Sequence, residues 1–102
     1  VKVGPQITKQ LKEESVIMGQ STVLTVESVG NPSPTAQWFF NDIPIAADDQ
    51  RYQIIQRENV FELKIKDAKS TDDGKFKVVL TNTEGTTTSE AKLNVHGMFL
   101  LF

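Results

Sequence analysis

Apolar and polar side chains alternate along residues 74–81, where Phe76, Val78 and Leu80 fall on one face and Lys75, Lys77, Val79 and Thr81 on the other. A period of two marks a strand with one face in a core and the other in water. Residues 60–66 repeat it, with Phe61, Leu63 and Ile65 inward and Glu62, Lys64 and Lys66 outward. Shorter strands are predicted at residues 36–40 and at 51–56, where Tyr52 and Ile54 alternate. Another is predicted at 86–95, polar at first and then carrying Ala91, Leu93 and Val95. Residues 21–29 are rich in Val, Thr and Leu and read as strand in either of two registers, Leu24 and Val26 inward or Val23 and Val29 inward. Edge strands are expected at residues 7–11 and, after the charged break Lys12-Glu13-Glu14, at 15–18, with a short ribbon at 43–47.

The punctuation between these runs fits strands throughout. Pro32 and Pro34 make residues 30–34 a loop, Asn41-Asp42 and Glu58-Asn59 read as turns, and only residues 67–71 could form a helical turn. Seven to nine strands with turn signals every eight to twelve residues predict an all-β sandwich, and no internal period divides the chain. Residues 1–4 read as linker and residues 5–95 as one domain. Residues 96–102, HGMFLLF, form an apolar tail: five apolar residues are too few to span a bilayer, and a linker, a cloning remnant and a native terminus all fit them.

Several stretches taken together resemble the intermediate (I) set of immunoglobulin domains. Asp72-x-Gly74-x-Phe76-x-Val78 is similar to that family's D-x-G-x-Y-x-C, and Thr81-Asn82-x-x-Gly85 to its hairpin exit. Leu24-x-Val26 resembles L-x-C, Gly30-x-Pro32-x-Pro34 followed by Trp38 resembles G-x-P-x-P-x-x-x-W, and Arg51-Tyr52-x-Ile54 and Leu63-x-Ile65 complete the order. The resemblance implies a two-sheet Greek-key sandwich and selects the register with Leu24 and Val26 inward. A core pin is then expected from Leu24, Val26, Trp38, Leu63, Phe76 and Val78, with Arg51 and Asp72 as an ion pair locking a corner.

Two departures from the family pattern carry consequences. Both cysteine positions hold valine, Val26 and Val78, so the intersheet disulfide is missing. Loss of such a bond costs about 2–5 kcal/mol in small domains. Branched side chains packed against Trp38 offset part of that by filling volume. Phe76 stands where the family has tyrosine, forgoing a hydroxyl hydrogen bond of about 0.5–1.5 kcal/mol.

Composition narrows the function classes. The 102 residues include 11 basic and 13 acidic side chains for a net charge of -2, which argues against nucleic-acid and anionic-membrane partners. There is no cysteine, and no asparagine begins a glycosylation motif, so a reducing, cytoplasmic setting is expected. The one histidine, His96, has no thiol to accompany it, which leaves neither a nucleophilic triad nor a zinc site. Asp48-Asp49 and Asp72-Asp73 lack the spacing of a calcium loop. Neither an enzyme nor a cofactor-binding protein is expected.

Binding surfaces remain. Phe39, Lys75, Lys77 and Val79 are expected on one outer sheet face, either as a protein-docking patch or as Phe39 packed cross-strand on Val79 beneath solvated lysines. The polar run Thr86-Thr87-Thr88-Ser89 could accept an added strand at an edge. Cysteine-poor domains of this look are similar to those strung in tandem in giant muscle proteins of the titin, twitchin, obscurin and myosin-binding protein C kind. That resemblance implies a monomeric unit of a sarcomeric scaffold, serving as mechanical strut and docking site for neighbouring domains and filament proteins. Several such parents also carry a kinase domain elsewhere. The competing expectation is an extracellular adhesion or receptor domain that has lost its cysteines.

Overall fold

The computed structural model describes residues 1–97. Its nine strands form two sheets. The first contains β1 (Val3–Lys9), β3 (Thr22–Asn31), β7 (Val60–Ile65) and β6 (Tyr52–Arg57), in the order β1-β3-β7-β6. The second contains β2 (Glu14–Ile17), β9 (Gly85–His96), β8 (Gly74–Asn82), β4 (Thr35–Phe40) and β5 (Ile43–Pro44), in the order β2-β9-β8-β4-β5. Only β2 and β9 pair in parallel; every other ladder among the described residues is antiparallel. A single 3-10 turn, Ser70–Asp72, joins β7 to β8.

The core is the set of inward positions that the alternation marks. Leu24, Val26, Phe61, Leu63 and Ile65 from the first sheet meet Trp38, Phe76, Val78, Leu80 and Leu93 from the second, all of them fully buried. Val26 lies opposite Phe61 and Trp38 opposite Val78, so both valines border the large rings of the core. Valine carries one more heavy atom than cysteine, worth about 0.8 kcal/mol of burial each. The pair therefore recovers a minority of what a disulfide supplies. Register in β3 follows Leu24 and Val26, and Val23 is left exposed on the outer face.

The third inward position of β3 is polar. Ser28 is fully buried, and its hydroxyl donates to the Gln6 carbonyl at 3.0 Å, tying β3 to the edge strand β1.

The structure moves several boundaries. The first edge strand runs Val3–Lys9 rather than 7–11: Pro5 is accommodated in a break of register between Val3 and Gln6, and a second break follows between Ile7 and Lys9. Leu11 instead turns inward and is buried. Gly30 and Asn31 prolong β3 by pairing towards Val3, so the loop expected at residues 30–34 begins at Pro32. His96 closes β9 opposite Ile17 instead of opening the tail. Residues 98–102 of that expected tail lie outside the described residues.

The β4–β5 turn shows why its sequence is what it is. Asn41 and Asp42 both take positive φ, 49° and 69°, as a two-residue hairpin requires, and Asn and Asp are the side chains that bear it best. Gly74 packs against this turn so closely that a Cβ there would meet Asn41 Oδ1 at 2.8 Å and Phe40 Cε1 at 2.9 Å. Any larger residue would push the turn away.

Candidate functional site

Two groups of side chains stand apart from simple core packing. One is a corner built by the 3-10 turn. There Asp72 N–H donates to the Lys69 carbonyl at 2.8 Å, and Lys69 N–H donates back to Asp72 Oδ2 at 2.8 Å. Arg51 Nη2 donates to the same oxygen at 2.6 Å. The carboxylate is 1% exposed and the guanidinium side chain 37%. A buried carboxylate needs such partners, since an unpaired charge in low dielectric is strongly unfavourable. The hydrogen bond that Arg51 donates to Asp72 raises the Arg51 pKa above its ordinary value, against the lowering effect of burial.

Aromatic rings extend this corner inward. The Arg51 guanidinium lies 5.7 Å from the Tyr52 ring centre, Tyr52 meets Phe76 edge-on at 6.3 Å, and Phe76 meets Phe40 at 4.8 Å. Burial raises the Tyr52 pKa, with the Asp72 charge adding to it. Phe76 thus occupies the tyrosine-corner position as one ring of a stack. Sequence reading singled out Arg51 and Asp72 but missed Tyr52 and Phe40 as their supports. An aromatic residue directly after the arginine was the available signal.

Two further ties were also missed. Asp73 Oδ2 accepts the Val95 N–H at 2.8 Å, and Oδ1 accepts Lys92 Nζ at 2.9 Å, so the end of β9 is held to the start of β8. These bonds, the Val95 one foremost, hold the Asp73 pKa below its ordinary value. Asn82 Nδ2 donates to the carbonyls of Val3 and Pro32 at 2.8 and 2.9 Å, and its Oδ1 accepts the Glu84 N–H at 2.8 Å. One asparagine in the hairpin exit therefore joins three segments.

The other group is the outer face of the β4–β8–β9 sheet. Phe39, Lys75, Lys77 and Val79 all lie there and all are half-buried. Phe39 stands opposite Lys77, whose Nζ lies 4.9 Å from the ring centre, while Val79 stands opposite Gln37. The ring therefore meets a cation across the ladder and reaches Val79 only diagonally. Lys77 Nζ also lies 3.2 Å from Asp42 Oδ1 and Lys75 Nζ 3.5 Å from Glu90 Oε2, so this face balances its charges. Exposed pairs of this kind contribute little stability.

Chemically, these arrangements hold strands together and present a mixed surface. Among the described residues, no three His, Asp or Glu side chains gather as a metal-holding group.

A two-sheet sandwich with a core tryptophan between the cysteine positions and an acidic turn before the penultimate strand defines an immunoglobulin-type module. The chain belongs to the immunoglobulin I-set domain family, whose sequence profile matches residues 5–95. A titin homolog of Caenorhabditis elegans is 33% identical over 95 residues, which is 93% of this chain and 0%, to the nearest per cent, of that protein. The muscle M-line assembly protein unc-89 of the same organism is 31% identical over 96 residues, 91% of this chain and 1% of the relative. Cardiac-type myosin-binding protein C of Homo sapiens is 30% identical over 92 residues, 90% of this chain and 7% of the relative. The chain thus spans a small fraction of the curated relatives it matches.

Among solved structures, the titin M3 domain superposes with a TM-score of 0.86 at 28% identity, covering 92% of this chain and 98% of that one. Titin Z1Z2 in complex with telethonin superposes with a TM-score of 0.90 at 28% identity, covering 97% of this chain and 50% of that one.

Proposed function

We propose that this domain is a load-bearing and protein-docking unit of a tandem array in a sarcomeric scaffold protein of the cytoplasm. The observation that carries the reading is the parallel pairing of β2 with β9, Glu14–Ile17 against Leu93–His96. Strands near the two ends of the domain run side by side in the same direction. Tension applied to the ends therefore pulls them past each other and loads the bonds of that ladder together, in shear. An unzipping geometry would break them one at a time. The family membership and the muscle relatives support the same reading, because each of those relatives is far longer than one such domain.

Partners in this reading are neighbouring domains of the same chain and filament or scaffold proteins, met by the outer face around Phe39 and Lys77. The corner pair and core pin keep the unit stiff and cooperative. The domain itself carries out no reaction; a kinase domain such as several similar parents carry would lie outside residues 1–102.

Forced unfolding in a polyprotein tests the reading. The domain should rupture in one cooperative step, and proline substitutions along Glu14–Ile17 should lower the rupture force much more than proline in β5. Gradual yielding at low force, or indifference to those prolines, would overturn the load-bearing part.

A further inference from the structure

The backbone nitrogen that follows an aspartate can close a ring onto that side chain. It does so most readily when it belongs to glycine, which has no Cβ to obstruct the approach and a freely turning backbone. Of the six aspartates in the chain only Asp73 precedes a glycine, and none of the five asparagines does. Asp73-Gly74 lies at the entrance to β8, and the Asp73 side chain is 41% exposed, so water reaches it.

Geometry, not burial, keeps this bond inert. Asp73 has a ψ of 117°, which turns the Gly74 nitrogen away from the Asp73 side chain about the Cα–C bond. Lys75 directs its N–H and C=O at Asn41 on the β4 side, so Gly74 directs its own at Leu93 on the β9 side. The nitrogen is therefore fixed in a ladder. The carboxylate is fixed as well, by Val95 N–H on Oδ2 at 2.8 Å and Lys92 Nζ on Oδ1 at 2.9 Å. Those bonds favour the anion, which resists nucleophilic attack where the neutral acid does not. Leu93, Val95 and Lys92 all belong to β9. Both restraints therefore fail together when the end of that strand comes away, and ψ is then free to turn.

We propose that Asp73-Gly74 is a backbone modification site, held closed by the docking of β9 on β8 and opened when the two separate. In the open chain the Asp73 carboxyl takes a proton from solvent and the Gly74 nitrogen bonds to Cγ. The nitrogen's proton and the carboxyl hydroxyl leave as water, and the product is a cyclic succinimide. Water added back at Cγ restores aspartate. Water added at the main-chain carbonyl of Asp73 breaks the original peptide bond and leaves the chain running through Cβ and Cγ, which is isoaspartate. One water leaves and one returns, so no other reactant is required.

The altered chain cannot regain the native corner. It has one more main-chain atom ahead of β8, and its carboxylate has moved onto Cα. Gly74 has no room to absorb the shift, since even a Cβ there would meet Asn41 Oδ1 at 2.8 Å and Phe40 Cε1 at 2.9 Å. With the Asp73 tie to Val95 gone, residues 93–96 lose an anchor, and these are the residues that pair with β2. The site follows from the β8–β9 geometry and holds whether or not the domain bears load.

Incubating the 102-residue chain at neutral pH, in buffer and in guanidinium chloride, tests the proposal. Peptide mapping with electron-transfer fragmentation distinguishes isoaspartate from aspartate at equal mass. In denaturant isoaspartate should accumulate at Asp73 and not at the other five aspartates, and in buffer it should form about a hundredfold more slowly or less. Lys92→Met removes one tie at a surface position. It should speed the reaction of the folded chain severalfold and not that of the denatured one. Chain isomerised in denaturant and returned to buffer should unfold at a lower denaturant midpoint, with the Val95 amide exchanging faster relative to Val78. Equal rates in buffer and denaturant, isoaspartate spread over the other aspartates, or a Lys92→Met rate matching the parent's would overturn the closed site. An isomerised chain with an unchanged midpoint would overturn its effect on β9.

Discussion

The Arg51 guanidinium reaches Asp72 Oδ2 at 2.6 Å, joining the chain just before β6 to the turn that leads into β8. The two members of this pair are not equivalent. Asp72 is sealed from water and keeps one other donor, Lys69 N–H, while Arg51 retains contact with solvent. Arg51→Met leaves a buried carboxylate short of its charged partner and should cost about 3 kcal/mol or more. Asp72→Asn leaves a cation that water can reach, and should cost about 1–3 kcal/mol. Chemical denaturation of both variants and of the double variant checks the order. Equal losses would show that the burial asymmetry does not govern the pair.

The valine pair gives a second expectation. Val26→Ala and Val78→Ala each remove two buried methyl groups beside a large ring and should each destabilise by about 2–3 kcal/mol. The losses should not add, because both cavities open into one packed core cluster. Trp38 adds a related test, since its buried Nε1 has no hydrogen-bond partner. Trp38→Phe deletes that orphan donor, worth about 1–3 kcal/mol, together with the ring volume. Its cost should therefore fall below the about 3–5 kcal/mol expected of Trp→Ala. Denaturant midpoints for these four single variants and the Val26→Ala/Val78→Ala double variant decide it.

How much of this was legible beforehand depended on the range of the forces involved. Side-chain alternation in β7 and β8 is local, so Phe61, Leu63, Phe76 and Val78 could be placed inward from spacing alone. The register of β3 was ambiguous by spacing, and only the family resemblance chose Leu24 and Val26. The partner of Phe39 was not legible, because the offset between β4 and β8 is set by the Asn41-Asp42 turn and by Gly74 packed against it. The contacts of Ser28, Tyr52 and Asn82 were missed for the same reason: each is made with a residue more than twenty positions away. The β1 boundary failed because proline in an edge strand is accommodated by bulges that no periodicity reports.

Glu58 adopts a left-handed backbone, with φ of 50°, in the β6–β7 turn. That conformation costs a side chain with a Cβ about 1 kcal/mol, and asparagine tolerates it better than glutamate. Glu58→Asn should stabilise the domain by about 0.5 kcal/mol, a rise of roughly 2–4 °C in melting temperature for a domain of this size. Calorimetry showing no rise would mean that the turn already relaxes the strain in another way.

Two groups set the expected pH dependence, with opposite signs. Burial raises the folded-state pKa of Tyr52 above its free value of about 10, so the fold favours the protonated phenol. Its contribution is fully present below that pH and is lost as pH rises through the higher folded value. Asp73 runs the other way. Its pKa in the fold lies below the ordinary carboxylate value of about 3.9, so its contribution is present above that value and disappears as pH falls through the lower one. Tyr52→Phe should therefore flatten the alkaline limb of the stability profile and leave the acid limb alone, while Asp73→Asn should do the reverse. Because Asp73 accepts the Val95 N–H, its protonation should also speed hydrogen exchange at Val95 relative to Val78 in the core. Exchange at Val95 that keeps pace with Val78 down to pH about 2 would show that the Asp73 tie does not hold the end of β9.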